Sequence, residues 1–453
     1  MKNKLNEVIG IIAIPVVVFT AISFLKPFSG FLKPIDFLAA VRKTVAPIHI
    51  HKHMEKLAVQ VGAAKDSLII PDTTVSSFGD LTRFLEAVKK LHDNSGSSDS
   101  TTFHIAYFGD SMIEGDLLTQ DLRKSLQIKY GGSGVGFVPV TSITAGFRSS
   151  ITHTFNESWT AWNFNERPPK NIHLGLSGYA FRGNPGAEVT YRCSKAYKPF
   201  GQIHLFYTAS DTATLAVKCD TVSQKFRLIP SETVMELPLL QDKECRTLKV
   251  NVKSGSPVIY GFNFENGPGV YLDNYSFRGN SGVPLSVLNK GVLKDFGREL
   301  NYKLIILHYG LNVVGHDAGD YSWFKMGFRK AIRNIREAFP DATIMLVSVS
   351  DKSYHSADGW NTEPDIPKFV EIQAELAAEE NVAFWNLYKA MGGFNTMKRW
   401  VEEENPRLAN LDYTHTNHAG ASKIAGLLNA FLNEKITAYM NAKQVEPSTL
   451  SQR

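Results

Sequence analysis

The stretch TFHIAYFGDSMIEGD, residues 102–116, begins as an apolar run and changes character at Gly109, Asp110 and Ser111. A short apolar run bounded by a turn signal predicts a buried β-strand. The segment LLTQDLRKSLQIKY, residues 117–130, has a helical pattern, so the two segments together indicate the start of an α/β unit. In open parallel sheets functional groups collect at the carboxyl ends of strands, which makes the hydroxyl of Ser111 a candidate functional group.

The same strand-then-helix alternation returns after residue 300. KLIILHYG (303–310), TIMLVSVS (343–350) and NVAFWNL (381–387) predict buried strands. Between them, one amphipathic helix is predicted before Pro340 and another from about residue 366 to residue 380. Uncharged strands separated by amphipathic helices predict a parallel sheet that helices cover on both faces.

The region from residue 151 to residue 271 follows a different pattern. Short runs rich in Val, Ile, Phe and Tyr, such as AEVTYRC (187–193) and RTLKVNV (246–252), alternate with turn residues, and long helical stripes are lacking. We therefore expect a β-sandwich inserted into the α/β domain. The predicted divisions are residues 1–25, 26–101, 102–150 with 272–437, 151–271, and a flexible tail at 438–453.

The first 25 residues predict export or anchoring. Lys2 and Lys4 precede an uncharged, mostly apolar stretch from Val8 to Leu25, which is long enough to cross a membrane as a helix. No convincing A-x-A cleavage site follows directly, so an uncleaved signal anchor is favoured over a removed signal peptide. Residues 26–101 predict a helical and linker region, with one amphipathic helix near 81–91 and the polar segment NSGSSDST at 94–101.

The composition is that of a globular protein and argues against nucleic acid as a partner. The chain of 453 residues is 43% hydrophobic and 21% charged, which is ordinary for a globular protein. Its formal charge of +5 is modest, and without a basic block or a zinc-finger signature nucleic acid is not expected as a partner. The cysteines, Cys193, Cys219 and Cys245, allow at most one internal disulfide.

A second candidate group lies near the C-terminus. In LDYTHTNHAGASKIAGLLNAFL, residues 411–432, Asp412 precedes His415 by three positions, just before an apolar-periodic helix. This spacing lets the carboxylate hold one imidazole nitrogen while the other points outward as a base. His418 is an alternative base, but the spacing favours His415 and predicts His418 at the start of the helix.

Two further blocks stand between these ends, NYSFRGNSG at 274–282 and HYGLNVV at 308–314. Each supplies a small or amide-bearing residue directly after a predicted strand. In this order the four blocks resemble the SGNH (GDSL-like) hydrolase family, which is marked by a serine in G-D-S, a glycine, an asparagine in G-x-N and a histidine in D-x-x-H. The resemblance covers residues 105–150 and 272–435.

The resemblance implies a flavodoxin-like, three-layer α/β/α hydrolase domain and a serine mechanism without cofactor or metal. It makes Ser111 the nucleophile, His415 its general base and Asp412 the residue that orients His415. The backbone amides of Ser111 and Gly279 and the side-chain amide of Asn312 become oxyanion-hole donors. Gly282 competes with Gly279 for this role.

An exported domain of this type, split by a β-rich insertion, resembles the bacterial peptidoglycan O-acetylesterases, in which the insertion is similar to a carbohydrate-binding module. The resemblance implies a periplasmic or cell-envelope enzyme whose substrate is an acetylated glycan, the 6-O-acetyl of muramic acid in peptidoglycan. The alternatives are an esterase acting on other polysaccharides such as xylan, an O-acetyltransferase using the same residues, and a non-catalytic glycan-binding protein.

Three further segments allow two interpretations each. Trp159 and Trp162 could stack on sugar rings or close the junction between domains. The alternating histidines of HIHKH, 49–53, could bind a metal, but a solvated basic patch is favoured. The glycine-rich KYGGSGVGFVP, 129–139, lacks the lysine of a phosphate-binding loop, so we expect a structural loop bordering a cleft.

Overall fold

The computed structural model describes residues 75–93, 101–166, 168–195, 197–241, 243–316 and 319–445, all within one compact unit. The predicted signal anchor at 1–25 and the histidines of 49–53 lie outside these residues, as does nearly all of the predicted linker at 94–101. Among the described residues, no helix combines the length and the apolar character that crossing a membrane requires.

The described residues form strands and helices in the following chain order. The strands are β1 (Thr102–Gly109), β2 (Ser133–Val138), β3 (Ile151–Phe155), β4 (Trp159–Asn163), β5 (Tyr179–Gly183), β6 (Glu188–Cys193), β7 (Gln202–Ala209), β8 (Ala213–Cys219), β9 (Val222–Leu228), β10 (Ser231–Leu240), β11 (Thr247–Ser254), β12 (Val258–Asn266), β13 (Gly269–Ser276), β14 (Tyr302–His308), β15 (Thr343–Val347), β16 (Ser353–Ser356), β17 (Gly359–Thr362) and β18 (Ala383–Trp385). The α-helices are α1 (Thr82–Asp93), α2 (Thr119–Tyr130), α3 (Lys290–Leu300), α4 (Ser322–Ala338), α5 (Ile366–Glu379), α6 (Leu387–Met391), α7 (Thr396–Glu402) and α8 (His418–Val445).

A parallel sheet of five strands forms the centre, in the order β13-β1-β14-β15-β18. In chain order this is 2-1-3-4-5, the flavodoxin-like arrangement, and the order reverses between β1 and β14. Helices α1, α2 and α8 contact one another, and α4 contacts both α3 and α5, so helices cover the sheet in two groups. The predicted α/β fold is confirmed.

Burial on both faces explains the largely apolar runs of β1 and β14. In β14 the segment Leu304–Leu307 is at most 1% exposed, and β1 is buried from Phe103 to Gly109. Alternating polar residues would place unpaired groups under the helices, at a cost in free energy.

Two antiparallel sheets are built from residues 133–266, in the region where the sequence predicts an inserted β-sandwich. One contains β10-β7-β12-β5-β4 with β2 paired to β12, and the other is β3-β6-β11-β8-β9. Their inner faces share one apolar core, in which the Tyr191 ring from the second sheet packs on Phe262 and Phe264 from the first. A disulfide joins Cys219 to Cys245, and Cys193 is free and buried.

The glycine-rich segment is not the expected loop, because residues 133–138 form β2. Gly134 and Gly136 have positive φ, and a Cβ on Gly134 would lie 2.3 Å from the carbonyl oxygen of Phe264. The glycines therefore allow a close approach between two strands. β2 also belongs to the antiparallel sheet although it precedes the predicted boundary at residue 151.

Both predicted ends of the hydrolase domain need correction. Helix α1 belongs to its core, since Phe84, Leu85 and Val88 are buried in the same apolar cluster as the parallel sheet. At the other end α8 continues to Val445, with Ile436 only 3% exposed, so residues 438–445 are helical and not a tail.

Candidate active site

Ser111 lies immediately beyond β1, at the edge where the parallel strands end. Gly109 is required there by packing: its φ is not positive, but a Cβ would lie 2.9 Å from the Ile113 side chain and 3.1 Å from the His308 carbonyl oxygen. Ser111 opens a 3₁₀ segment, Ser111–Asp116, that breaks at Glu114, and α2 begins only at Thr119. The serine therefore does not stand at the N-terminus of α2.

The loop before α8 carries Asp412 and His415. Asp412 Oδ1 accepts hydrogen bonds from the backbone N–H groups of Thr414 and His415, both at 3.0 Å. His418, the alternative base, is the first residue of α8 and is exposed. The three-residue spacing thus closes a small turn that faces the carboxylate toward the imidazole.

The structure brings the three predicted groups into one hydrogen-bonded chain across 304 residues of sequence. Asp412 Oδ2 lies 2.8 Å from His415 Nδ1, and His415 Nε2 lies 2.8 Å from Ser111 Oγ. Partial burial acts to raise the pKa of Asp412, but the hydrogen bonds from His415 and Thr414 outweigh it and lower the pKa. The carboxylate is therefore ionised at neutral pH, which suits it to stabilise an imidazolium.

Asn312 follows β14 and points toward the same edge. Its Nδ2 atom donates to Asp110 Oδ2 and to the Asn280 carbonyl oxygen, both at 3.2 Å. Asp110 also accepts at Oδ1 from the Met112 N–H and so caps the 3₁₀ turn. Burial raises the pKa of Asp110 to about 6, and the hydrogen bonds from Met112 and Asn312 oppose that rise.

Gly279 and Gly282, the two competing glycines, lie in the loop after β13 in different surroundings. Gly279 is exposed with a φ of +75°, and a Cβ built on it has no atom within 4 Å. A Cβ on Gly282 would instead lie 2.4 Å from Phe328 and 2.7 Å from Tyr309. Open space surrounds Gly279, whereas Gly282 packs on the interior, so the geometry favours Gly279 as a group that could face a ligand.

Trp159 and Trp162 both lie on β4, where their indoles pack within the protein. The Trp159 Nε1 atom donates to the Glu188 carbonyl oxygen at 3.0 Å, and the ring packs on the sandwich core. Trp162 packs against the core of the parallel sheet, with the Arg182 guanidinium 5.2 Å from its ring centre. Their contacts agree better with the junction interpretation than with sugar stacking.

The sequence interpretation missed the hairpin β16–β17, which supports the histidine loop. The Trp360 ring stacks on Tyr413, with ring centres 4.1 Å apart, and the Ser353 N–H donates to the Tyr413 carbonyl oxygen at 2.8 Å. The turn signal Asp358-Gly359 could have revealed the hairpin. Its contact with Tyr413 could not have been read from the local pattern.

Comparison with known proteins identifies the class to which this site belongs. Residues 260–423 match the model of the GDSL-like lipase/acylhydrolase family. This range includes Gly279, Asn312, Asp412 and His415, whereas Ser111 precedes it and joins the site through β1. The chain contains a GDSL-like hydrolase domain and is a carboxylic ester hydrolase.

The fold was also compared with individual solved structures. A peptidoglycan O-acetylesterase aligns with a TM-score of 0.64 and 22% identity, over 80% of this chain and 99% of that chain, which shows a shared fold. A family two carbohydrate esterase from Clostridium thermocellum in complex with cellohexaose aligns with a TM-score of 0.27 and 10% identity, over 59% of this chain and 98% of that chain. That TM-score is too low to support an argument. A search of curated proteins found no match.

Proposed function

We propose that the protein is a serine esterase that removes O-acetyl groups from a cell-envelope glycan, specifically the 6-O-acetyl group of muramic acid in peptidoglycan. The observation that carries the proposal is the hydrogen-bonded chain from Asp412 through His415 to Ser111. The fold shared with a peptidoglycan O-acetylesterase supports the choice of substrate.

The arrangement fits a two-step acyl transfer. Ser111 Oγ attacks the acetyl carbonyl carbon while His415 Nε2 takes the hydroxyl proton, and the carbonyl oxygen becomes an oxyanion. The bond from that carbon to the sugar oxygen then breaks, and the sugar oxygen takes the proton from His415. Water, activated by His415, attacks the acetyl-serine, so acetate leaves and the Ser111 hydroxyl is restored.

The oxyanion requires donors that are already in place. In this proposal the Ser111 and Gly279 backbone N–H groups supply two, and the Asn312 side chain supplies the third. Both hydrogen bonds of Asn312 Nδ2 are long, at 3.2 Å. Such bonds are readily exchanged, so one N–H turns from the Asn280 carbonyl to the oxyanion while Asp110 keeps the other.

The proposed location is the periplasm or cell envelope. It rests on the apolar stretch between Val8 and Leu25 behind Lys2 and Lys4, which would hold the enzyme at the membrane. An acetylated glycan of the cell wall is accessible to an enzyme on that side.

Acetate release tests the proposal. The full-length protein is incubated with O-acetylated peptidoglycan, with the same material after chemical deacetylation, and with acetylated xylan. We expect acetate from the acetylated peptidoglycan, and muropeptides lighter by one acetyl group in mass spectra. Ser111→Ala should abolish the release, whereas Ser125→Ala, on α2, should not change it.

Two results would contradict the proposal. Release from acetylated xylan at an equal or greater rate would favour a different polysaccharide. Acetate release that persists in Ser111→Ala would remove the serine mechanism.

A further inference from the structure

Lys352, which the esterase mechanism does not use, and the residue after it connect two loops of the candidate active site. Lys352 lies in the segment that joins β15 to β16, at the edge where the parallel strands end. The backbone N–H of Ser353 donates to the Tyr413 carbonyl oxygen, in the loop that carries His415. The Lys352 side chain contacts a different loop, the turn after β14 that carries Asn312.

The ammonium group of Lys352 bridges the two ends of that turn. Its Nζ atom donates to the Val314 carbonyl oxygen at 2.6 Å and to the Leu311 carbonyl oxygen at 3.4 Å. The turn is also closed from within, because the Val314 N–H donates to the Gly310 carbonyl oxygen at 3.0 Å. Asn312 lies in sequence between the two carbonyl groups that the lysine holds, so the lysine restrains the backbone on both sides of it.

The turn buries its apolar residues and leaves the amide of Asn312 accessible. Leu311 and Val313 are 8% and 7% exposed, whereas Asn312 is exposed. The side-chain amide donates to Asp110 and to the Asn280 carbonyl oxygen, both at 3.2 Å, and in the proposed mechanism the second of these bonds is exchanged for one to the oxyanion. A donor that changes partner during the reaction needs a fixed backbone, because small displacements of a catalytic group are costly.

The charge of Lys352 has no direct ion pair among the described residues. Both acceptors of its ammonium are neutral carbonyl groups. Burial lowers the pKa of Lys352, and the Glu363 carboxylate opposes that effect. A partly buried cation without a paired carboxylate is a poor source of stability, since an apolar side chain of the same length would avoid the cost of desolvation. The lysine is therefore better explained by the turn that its donors hold than by its own contribution to stability.

We propose that Lys352 is a positioning residue for the oxyanion hole, which holds the turn so that the Asn312 amide can reach the oxyanion. The inference rests on the proposed function, because it requires Asn312 to be an oxyanion donor. It adds a residue that touches neither the substrate nor Ser111, so its effect on the rate passes through Asn312.

A double-mutant cycle with p-nitrophenyl acetate as substrate tests this dependence. Lys352→Met keeps the length of the side chain and removes both donated hydrogen bonds, so kcat should fall about 10- to 100-fold while KM changes less than about threefold. In the Asn312→Ala background the same substitution should lower kcat less than about threefold, because the amide that the lysine positions is gone.

Another lysine of the same region provides the matched control. Lys368 is exposed and donates to the Gly319 carbonyl oxygen, in the same connection between β14 and α4. Lys368→Met should leave kcat unchanged. Thermal unfolding of each variant checks that it is folded; if Lys352→Met lowers the Tm by more than about 10 °C, the cycle is measured with Lys352→Gln, which keeps one donor group.

Two results would overturn the inference alone. One is a loss of the same size in the presence and absence of the Asn312 amide, and the other is a loss below about threefold when that amide is present. Both leave the esterase proposal intact as long as Ser111→Ala abolishes hydrolysis. Hydrolysis that persists in Ser111→Ala would overturn the proposed function and the inference with it.

Discussion

Asp110 shows how one buried side chain connects two parts of the site. One carboxylate oxygen caps the turn that begins at Ser111, and the other accepts the amide of Asn312 from the neighbouring strand. Asp110 is 1% exposed, so few alternative partners compete for these oxygens. The carboxylate therefore fixes the Asn312 side chain relative to the serine, although Asp110 itself is not proposed to touch the substrate.

Substitution of the single residue Asn312 tests whether its side-chain amide is an oxyanion donor. Asn312→Ala deletes one proposed oxyanion donor, so kcat should fall about 100- to 1,000-fold. The Tm should change little, because Asp110 still accepts from Met112. Steady-state kinetics with p-nitrophenyl acetate and thermal unfolding check both parts, with Asn441→Ala, at an exposed position of α8, as control. A loss of activity below about threefold would exclude Asn312 from the oxyanion hole.

Among the elements, the hairpin β16–β17 packs against the loop that carries His415 and supports it. Trp360 stacks on Tyr413, which has a φ of +53° and lies between Asp412 and His415. Asp351 holds the hairpin in turn, because it accepts hydrogen bonds from the Thr362 hydroxyl and the Met397 N–H. The position of the imidazole thus depends on an element distant from it in sequence.

Removing the aromatic ring should displace the loop. Trp360→Ala should lower kcat about 10- to 100-fold, since small displacements of a catalytic group are costly. Trp360→Phe keeps an aromatic face against Tyr413 and should recover most of the activity. The comparison is made on kcat at saturating p-nitrophenyl acetate; equal losses in the two variants would contradict a positioning role.

The buried carboxyl of Asp351, which holds the hairpin β16–β17, also predicts that the free energy of unfolding depends on pH. Burial raises the pKa of Asp351 to about 7, although hydrogen bonds from Met397 and Thr362 oppose the rise. A folded-state pKa above the unfolded value of about 3.9 means that this group destabilises the protein as the pH rises from 4 to 7. Its contribution is at most about 4 kcal/mol.

Asp351→Asn should remove this dependence. Urea denaturation of both proteins between pH 4 and pH 8 gives the free energy of unfolding, and the variant should gain stability relative to the wild type as the pH rises. A difference that stays constant across this range would show that Asp351 does not titrate there.

The whole molecule combines segments that the chain keeps far apart. Helix α1 packs under β14 and β15, and the Phe78 backbone pairs with Phe384 in β18. The hydrolase core therefore extends N-terminal of the strand that leads to Ser111, and residues 75–93 are part of the folded domain.

Substitution of Phe84 tests whether α1 belongs to the hydrolase core. Its side chain is 1% exposed, so Phe84→Ala should lower the free energy of unfolding by about 3–5 kcal/mol. The exposed Lys90→Ala on the same helix should change it by no more than about 0.5 kcal/mol. Urea denaturation of both variants provides the measurement, and equal effects would show that α1 is dispensable for the core.

The sequence by itself determined the elements whose signals are local. The apolar run before Ser111 and the spacing of Asp412 and His415 could be read because burial and a short turn leave a pattern within a few residues. The strands β1, β14, β15 and β18 of the parallel sheet and the stripe of α1 were predicted for the same reason.

Only the tertiary structure decided which distant residues meet. It placed the glycine-rich segment in a strand, extended the hydrolase core to α1, stacked Trp360 on Tyr413, and brought Lys352 to the turn that carries Asn312. None of these contacts is encoded in a local period or spacing, because each depends on how the sheets and helices pack around a common core.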